Sequence, residues 1–251
     1  GRWMLAFTGD ASFAIEHVYG HHKNLGTPAD PATAQRGENV YSFVIKSWLG
    51  GYKSAWKLEK QRLAKFNQSI WNPLHSRMAR GNLMTISLFA GAYLIGGWVA
   101  VVMFWIMSAG GKTLLEIVNY MEHYGIVRRP EDKVEPRHSW NTNASVSTAL
   151  LYALTRHSHH HAEADQEYWN LRCYQHAPML PTGYLGTILL ALVPPLYKRV
   201  MTPLLNHWDE TFATPEEKKL AIEASLKSGM KGLKSAQLGQ SQSQSFNRVV
   251  A

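Results

Sequence analysis

The chain has 251 residues, 45% of them hydrophobic, and carries 26 Lys and Arg against 18 Asp and Glu, a net charge of +8. A basic excess admits nucleic acid, an acidic partner or the cytoplasmic face of a membrane protein; with no long basic run and no nucleic-acid motif, nucleic acid is set aside. The single cysteine, Cys173, excludes an internal disulfide framework and a four-cysteine iron site.

The opening Gly1-Arg2-Trp3-Met4-Leu5-Ala6-Phe7 lacks the shape of a signal peptide and starts without Met, which reads as a fragment missing its N-terminus. Trp3 to His22 predicts a helix ending in histidines. Residues 24–38, rich in Gly, Pro, Asp and Thr, predict a loop. Val40 to Phe66 predicts an amphipathic helix, with Tyr41, Val44, Ile45, Trp48, Tyr52, Trp56 and Leu63 on one broad face and Lys46, Lys53, Lys57, Lys60 and Arg62 off it, as at a membrane interface. Leu83 to Met107 is apolar and uncharged, flanked by Arg77 and Arg80 on one side and Lys112 on the other. It is long enough for one span of roughly 20 residues. The Gly96-Gly97 pair in its middle favours a hairpin over residues 82–124, whose second arm carries His123 beyond the apolar core. Thr142 to His161 predicts another helix ending in histidines. Leu180 to Val200 is apolar but broken by Pro194-Pro195 and short for a clean span. Thr214-Pro215-Glu216-Glu217 has the form of a capping box. From Gly232 onward, Gly, Gln and Ser predict disorder.

Most of the 12 histidines cluster. In Glu16-His17-Val18-Tyr19-Gly20-His21-His22, His17 and His21 are four apart and share a helical face, while His22 points about 100° further round. In Arg156-His157-Ser158-His159-His160-His161, positions 157, 160 and 161 again share a face. Asn119-Tyr120-Met121-Glu122-His123-Tyr124-Gly125 lies between the two groups. A structural zinc site takes four ligands, typically with Cys, and leaves histidines over; haem takes one or two. Many imidazoles near a bilayer suit two borderline metals in nitrogen-rich coordination. Carboxylates that orient the ring N–H groups offset the resulting positive charge, and Glu16, Glu122 and Asp165 are candidates.

At these residues the chain resembles the membrane-bound alkane and xylene monooxygenases, a branch of the fatty-acid-desaturase-like superfamily. Glu16 to His22 with Thr27-Pro28-Ala29-Asp30-Pro31 resembles their second histidine box. Asn119 to Gly125 resembles the motif that separates them from the desaturases. Arg156 to Ala162, with Tyr168 and Leu171-Arg172, resembles the third box, and His138-Ser139-Trp140-Asn141 also fits. The likeness runs from about Trp3 to Glu217. The first box, His-Glu-x-x-His, is absent, so two ligands of the family pattern are missing. His159 stands where the family usually has Asp.

The resemblance implies an all-α, integral membrane helical bundle with a cytoplasmic helical cap holding a diiron site. Residues 1–210 would form the hydroxylase domain and 211–251 a polar, partly disordered tail. His17, His21, His22, His123, His157, His160 and His161 would ligate two iron ions. Glu16, Asn119, Tyr120, Glu122, His138, His159 and Asp165 would lie around them, and His159 is not read as a ligand. The reaction would be O2-dependent hydroxylation of unactivated C–H bonds, most simply of alkanes at the terminal carbon. Electrons would come from NAD(P)H through a rubredoxin or ferredoxin-type reductase on a separate chain. The alternatives are methyl-group hydroxylation of alkyl-aromatics, then a desaturase or lipid hydroxylase, then a non-catalytic membrane metal-binding protein. Trp208-Asp209 and Ala213 to Glu216 lean towards the xylene enzymes, Arg156 to Arg172 towards the alkane enzymes. The place would be the bacterial inner membrane, in several passes, with the metal site and the tail after Asn206 on the cytoplasmic side, where Lys and Arg concentrate.

Overall fold

The computed structural model describes residues 2–174 and 176–241. These residues are helical or irregular; among them there is no β-strand, only an isolated parallel bridge between Asn141 and Met179. The chain divides into two compact units, Gly1–Lys23 with Val44–Glu116, and Asn24–Phe43 with Ile117–Ala251.

In the first unit, the helix expected over Trp3 to His22 is broken. Helix α1 (Arg2–Phe7) and helix α2 (Phe13–Glu16) are separated by a turn in which Gly9 takes a positive φ of 69°. A π turn, His17–His21, and the short α3 (His22–Asn24) follow. Helix α4 (Val40–Ala64) ends within two residues of the expected boundary. Apolar residues lie on both of its faces. Phe43, Ser47, Ala55, Glu59 and Leu63, spaced in multiples of four, are buried, whereas Tyr41, Ile45, Leu49 and Tyr52 are exposed.

Helix α5 (Arg77–Glu122) is interrupted at Gly96 (φ −148°) and Gly97 (φ 60°, ψ −152°). The interruption is a reversal. Phe89 and Phe104 would lie about 22 Å apart along a straight helix, yet their ring centroids are 4.8 Å apart. Gly97 supplies a backbone conformation that a side chain would strain. Leu94 is 83% exposed and Ile95 89%, with Trp98, Val99 and Met107 close behind. Each such side chain left in water forgoes about 1.5–3 kcal/mol of burial, a loss that a lipid surround removes. Among the described residues, α5 is the one helix long and apolar enough to cross a membrane, and none of its apolar window is buried.

Lys112 does not stand as a solvated flank of this segment. It is buried, with Nζ 2.5 Å from Asp10 Oδ2 and against Glu116, whose Oε2 accepts from Ser47 Oγ at 2.6 Å. A buried ammonium is tolerable only when paired in this way.

The second unit packs around Phe43, Tyr120, Tyr124 and Tyr197, whose rings meet at 4.9 to 5.3 Å. The loop after Asn24 is pinned by Arg128, which donates from Nε to Leu25 O, and by Arg36, whose guanidinium bridges Gly125 O and both Asp209 oxygens. The helix expected over Thr142 to His161 is instead two: α6 (Ser145–Leu150) and α7 (His157–Ala162), divided where Tyr152 and Ala153 adopt positive φ. Helix α8 (Tyr184–Ala191) leads to α9 (Pro194–Thr211), with Pro194 where an N–H needs no helical partner. Helix α10 (Pro215–Ser228) opens with the expected capping box, Thr214 and Glu217 bonding each other's backbone N–H.

The C-terminal segment is tied into this unit. Ser225 and Ser235 accept from the buried Arg36, Leu233 is buried, and residues 234–241 are helical where the composition predicts disorder. Residues 242–251 of that expectation lie outside the described residues.

Candidate metal centre

The first histidine group belongs to the first unit. A regular helix would align His17 with His21; the π turn adds a residue and aligns His17 with His22. The Nε2 atoms of His17 and His22 are 3.2 Å apart. His21 is buried and stacks beside His17 at 5.1 Å, while Phe13 stacks on the other side of His17 at 4.7 Å. The Glu16 carboxylate folds over position 20, where a Cβ would lie 2.5 Å from its Oε1 and 3.3 Å from Leu58 Cδ1. Glycine is therefore what lets Glu16 remain there.

The second group belongs to the second unit. The second arm of α5 ends at Glu122, so His123 leaves the helix directly. Trp140 grips the chain on both sides of it, with its N–H on Glu122 O at 2.8 Å and its indole Nε1–H on Tyr124 O at 2.9 Å. Gly125 turns the backbone away at φ 70°; a Cβ there would meet Leu205 and Arg36. Helix α7 starts under Asn141, whose Oδ1 accepts from Ser158 N at 2.7 Å and satisfies an otherwise orphaned N–H of the first turn. His157 Nε2 consequently lies 2.8 Å from His161 Nε2 and 3.1 Å from His123 Nε2. All three imidazoles are buried; His160 is half-buried, its ring 5.6 Å from that of His157.

The other expected residues divide. Glu122 is buried with Oε1 3.3 Å from His157 Nδ1. Asn119 is buried, and Tyr120 donates to Glu38 O at 2.8 Å. His138 faces a structural network: its Nδ1 accepts from Glu135 N at 2.9 Å, which leaves Nε2 to donate to Glu217 at 2.7 Å. Burial holds His138 below the usual imidazole range, against the pull of Glu217. For Glu217, burial is outweighed by the bonds from His138, Arg137 and Thr214 N–H, which draw its pKa down to about 2. His159 accepts from Arg172 N at 3.2 Å and has Nε2 3.4 Å from Glu163. Asp165 is exposed.

Sequence reasoning missed Tyr184, whose hydroxyl donates to Glu122 Oε1 at 2.5 Å from a point 62 residues away in sequence. No local pattern signals that contact.

A family model for fatty acid desaturases matches residues 2–190. The chain belongs to the fatty acid desaturase family. Within this family its relatives include the alkane 1-monooxygenase of Pseudomonas putida, 37% identical over 235 residues, which make up 90% of this chain and 57% of that protein. Alkane 1-monooxygenase 2 of Alcanivorax borkumensis is 39% identical over 222 residues, 84% of this chain and 56% of that protein. The xylene/toluene monooxygenase hydroxylase component of Pseudomonas putida is 34% identical over 227 residues, 90% of this chain and 61% of that protein. The chain thus spans somewhat over half the length of these curated relatives. They are the two kinds of enzyme that the Asn119 to Gly125 motif resembles.

Proposed function

We propose that this chain is the metal-binding part of a membrane-bound, O2-dependent hydroxylase of hydrocarbons, acting on the terminal carbon of alkanes. The observation that carries the reading is the convergence of His123, His157 and His161, in a chain related to alkane 1-monooxygenases over 90% of its length. The donor set fits a metal. His157 Nε2 lies 2.8 Å from His161 Nε2 and 3.1 Å from His123 Nε2, close enough for the three to share one ion.

On this reading, His17, His21, His22, His123, His157, His160 and His161 are ligands of a non-haem diiron centre. Bound iron would supply the activation of dioxygen. The chain's own residues then have three jobs. The imidazoles would hold the metal, the Nε2 of His157 lying beside those of His123 and His161. Carboxylates, Glu122 foremost, accept from the opposite ring nitrogen and fix each ring's direction. Apolar helices admit a hydrocarbon and exclude water. Electrons come from NAD(P)H through a rubredoxin or a ferredoxin-type reductase on a separate chain, in keeping with the single cysteine here. The chain lies in the bacterial inner membrane in several passes, with the metal site facing the cytoplasm.

The alkyl-aromatic alternative rests on a relative of lower identity, 34% against 37 to 39%. The residues that lean towards it have structural work. Trp208 donates to Arg137 O, Asp209 holds Arg36, and Thr214 caps α10.

The test is metal analysis and turnover of the full-length protein in membranes, with a reducing system and with octane and xylene offered side by side. Two irons per chain and 1-octanol as the main product are expected. One zinc and no iron would overturn the reading; a faster xylene reaction would move it to the aromatic branch.

A further inference from the structure

A ligating imidazole that gives Nε2 to a metal must carry its proton on Nδ1, and that proton needs an acceptor fixed in place. For His157 the acceptor on hand is Glu122 Oε1 at 3.3 Å. A glutamate carboxylate is a loose support by itself, because its terminal torsion is broad and two-fold. Here it is buried at 1% exposure, where water does not steady it.

Tyr184 supplies the missing constraint. Its hydroxyl donates to the same Oε1 at 2.5 Å. The same hydroxyl passes 3.4 Å from Leu154 O, a distant second acceptor. Tyr184 is itself immobilised. It is 1% exposed and is the first residue of α8, and its N–H donates to Ser147 Oγ at 3.1 Å. Gly183 permits that approach: a Cβ there would lie 2.7 Å from the Ser147 oxygen. The result is a relay of fixed groups, from α6 through the start of α8 to the end of α5 and the first residue of α7.

We propose that Tyr184 is a positioning residue for the metal centre: its phenol locks the Glu122 carboxylate, which in turn orients His157 towards the metal. The inference rests on the proposed metal reading and adds to it a residue outside every histidine motif. Tyr184 touches neither metal nor substrate on this view and acts only through Glu122. Its removal should therefore matter only while Glu122 is a carboxylate able to use it.

The test is a double-mutant cycle on the purified full-length protein, titrated with cobalt(II) alone and read by its visible absorption bands, with thermal unfolding of the metal-free protein alongside. Tyr184→Phe, which keeps the ring and removes the hydroxyl, should weaken cobalt binding 10–100-fold while lowering the metal-free midpoint only by the loss of one buried hydrogen bond. Glu122→Gln should weaken it by a similar factor, and the double variant should be no weaker than the worse single. Wild-type affinity in Tyr184→Phe, or losses that multiply in the double variant, would overturn the proposal. If Tyr184→Phe does not fold, Glu122→Gln decides alone, since unchanged cobalt binding there leaves Tyr184 nothing to act through. Failure of the wild-type protein to bind cobalt would instead sink the metal reading beneath it.

Discussion

In the first histidine group the outer members, His17 and His22, are five residues apart with Nε2 atoms separated by 3.2 Å; in the second, His157 and His161 are four apart and separated by 2.8 Å. A longer spacing is met by a π turn and a shorter one by an α turn. In both, the outer pair converges. The number of residues between the ends and the type of turn change together, so the pairing of the ends is kept. What the two groups share is thus a geometry that neither spacing alone specifies.

The severest way to break this comparison is to remove a converging imidazole. His123→Ala takes away the partner that lies 3.1 Å from His157 Nε2. In the full-length protein it is expected to abolish hydroxylation and to lower bound iron. Iron content and alcohol formed from octane, measured in the same membranes, check this; retained iron with turnover would show that the convergence is not a metal site.

His138 sharpens the comparison from the opposite side, as a buried histidine with both nitrogens engaged by the fold. Glu217→Gln removes its charge partner and turns one acceptor facing Arg137, His138 and Thr214 N–H into a donor. Breaking a buried pair in this way costs about 3 kcal/mol. The pH dependence should change as well. The Glu217 carboxylate contributes stability fully above its ordinary 4.5, and the contribution disappears as pH falls through about 2. Thermal unfolding in detergent from pH 6 to 2 should therefore show a flatter acid limb in the variant, at unchanged metal content. Loss of metal without loss of stability would place His138 with the ligands instead.

Gly20→Ala disturbs one turn and not the other. The new methyl group would sit 2.5 Å from Glu16 Oε1, so the carboxylate must move away from the π turn. Overpacking of this size costs about 1–2 kcal/mol. Metal occupancy should fall, since position 20 lies between His17 and the His21-His22 pair. Full occupancy at an unchanged unfolding midpoint would show that Glu16 plays no part in holding the first group.

Local signals in the sequence carry a good part of this architecture. The capping box at Thr214, the extent of α4 and the reversal at Gly96-Gly97 are each set by residues within a few positions of one another. The histidine groups are legible as groups, but not in their pairing. A period of 3.6 pairs His17 with His21, and nothing in Val18-Tyr19-Gly20 announces the extra residue of a π turn. Tyr152 and Ala153 hide the break before α7, because neither is a residue that commonly takes positive φ. Lys112 reads as a flanking charge because its partner Asp10 is 102 positions away. Contacts across such distances, Tyr184 to Glu122 among them, are decided by packing rather than by pattern.

The smallest effect is expected at His159, inside the second group by sequence and outside it by geometry. Its neighbours His157 and His161 converge, while its own ring turns towards Arg172 N and Glu163. An α turn advances 100° per residue, so a position two beyond His157 and two before His161 faces nearly opposite to both. His159→Asp keeps an acceptor near Arg172 N–H and sets a negative charge near Glu163, which is 53% exposed. Screening by solvent limits that repulsion to under about 1 kcal/mol. Bound iron and alcohol formation in His159→Asp should stay within about twofold of the parent, well short of the 10–100-fold typical of groups that orient a ligand. A larger loss of iron would mean that the ring of His159 serves the metal after all, and that the division between outer pair and bystander fails in the group where it is most sharply drawn.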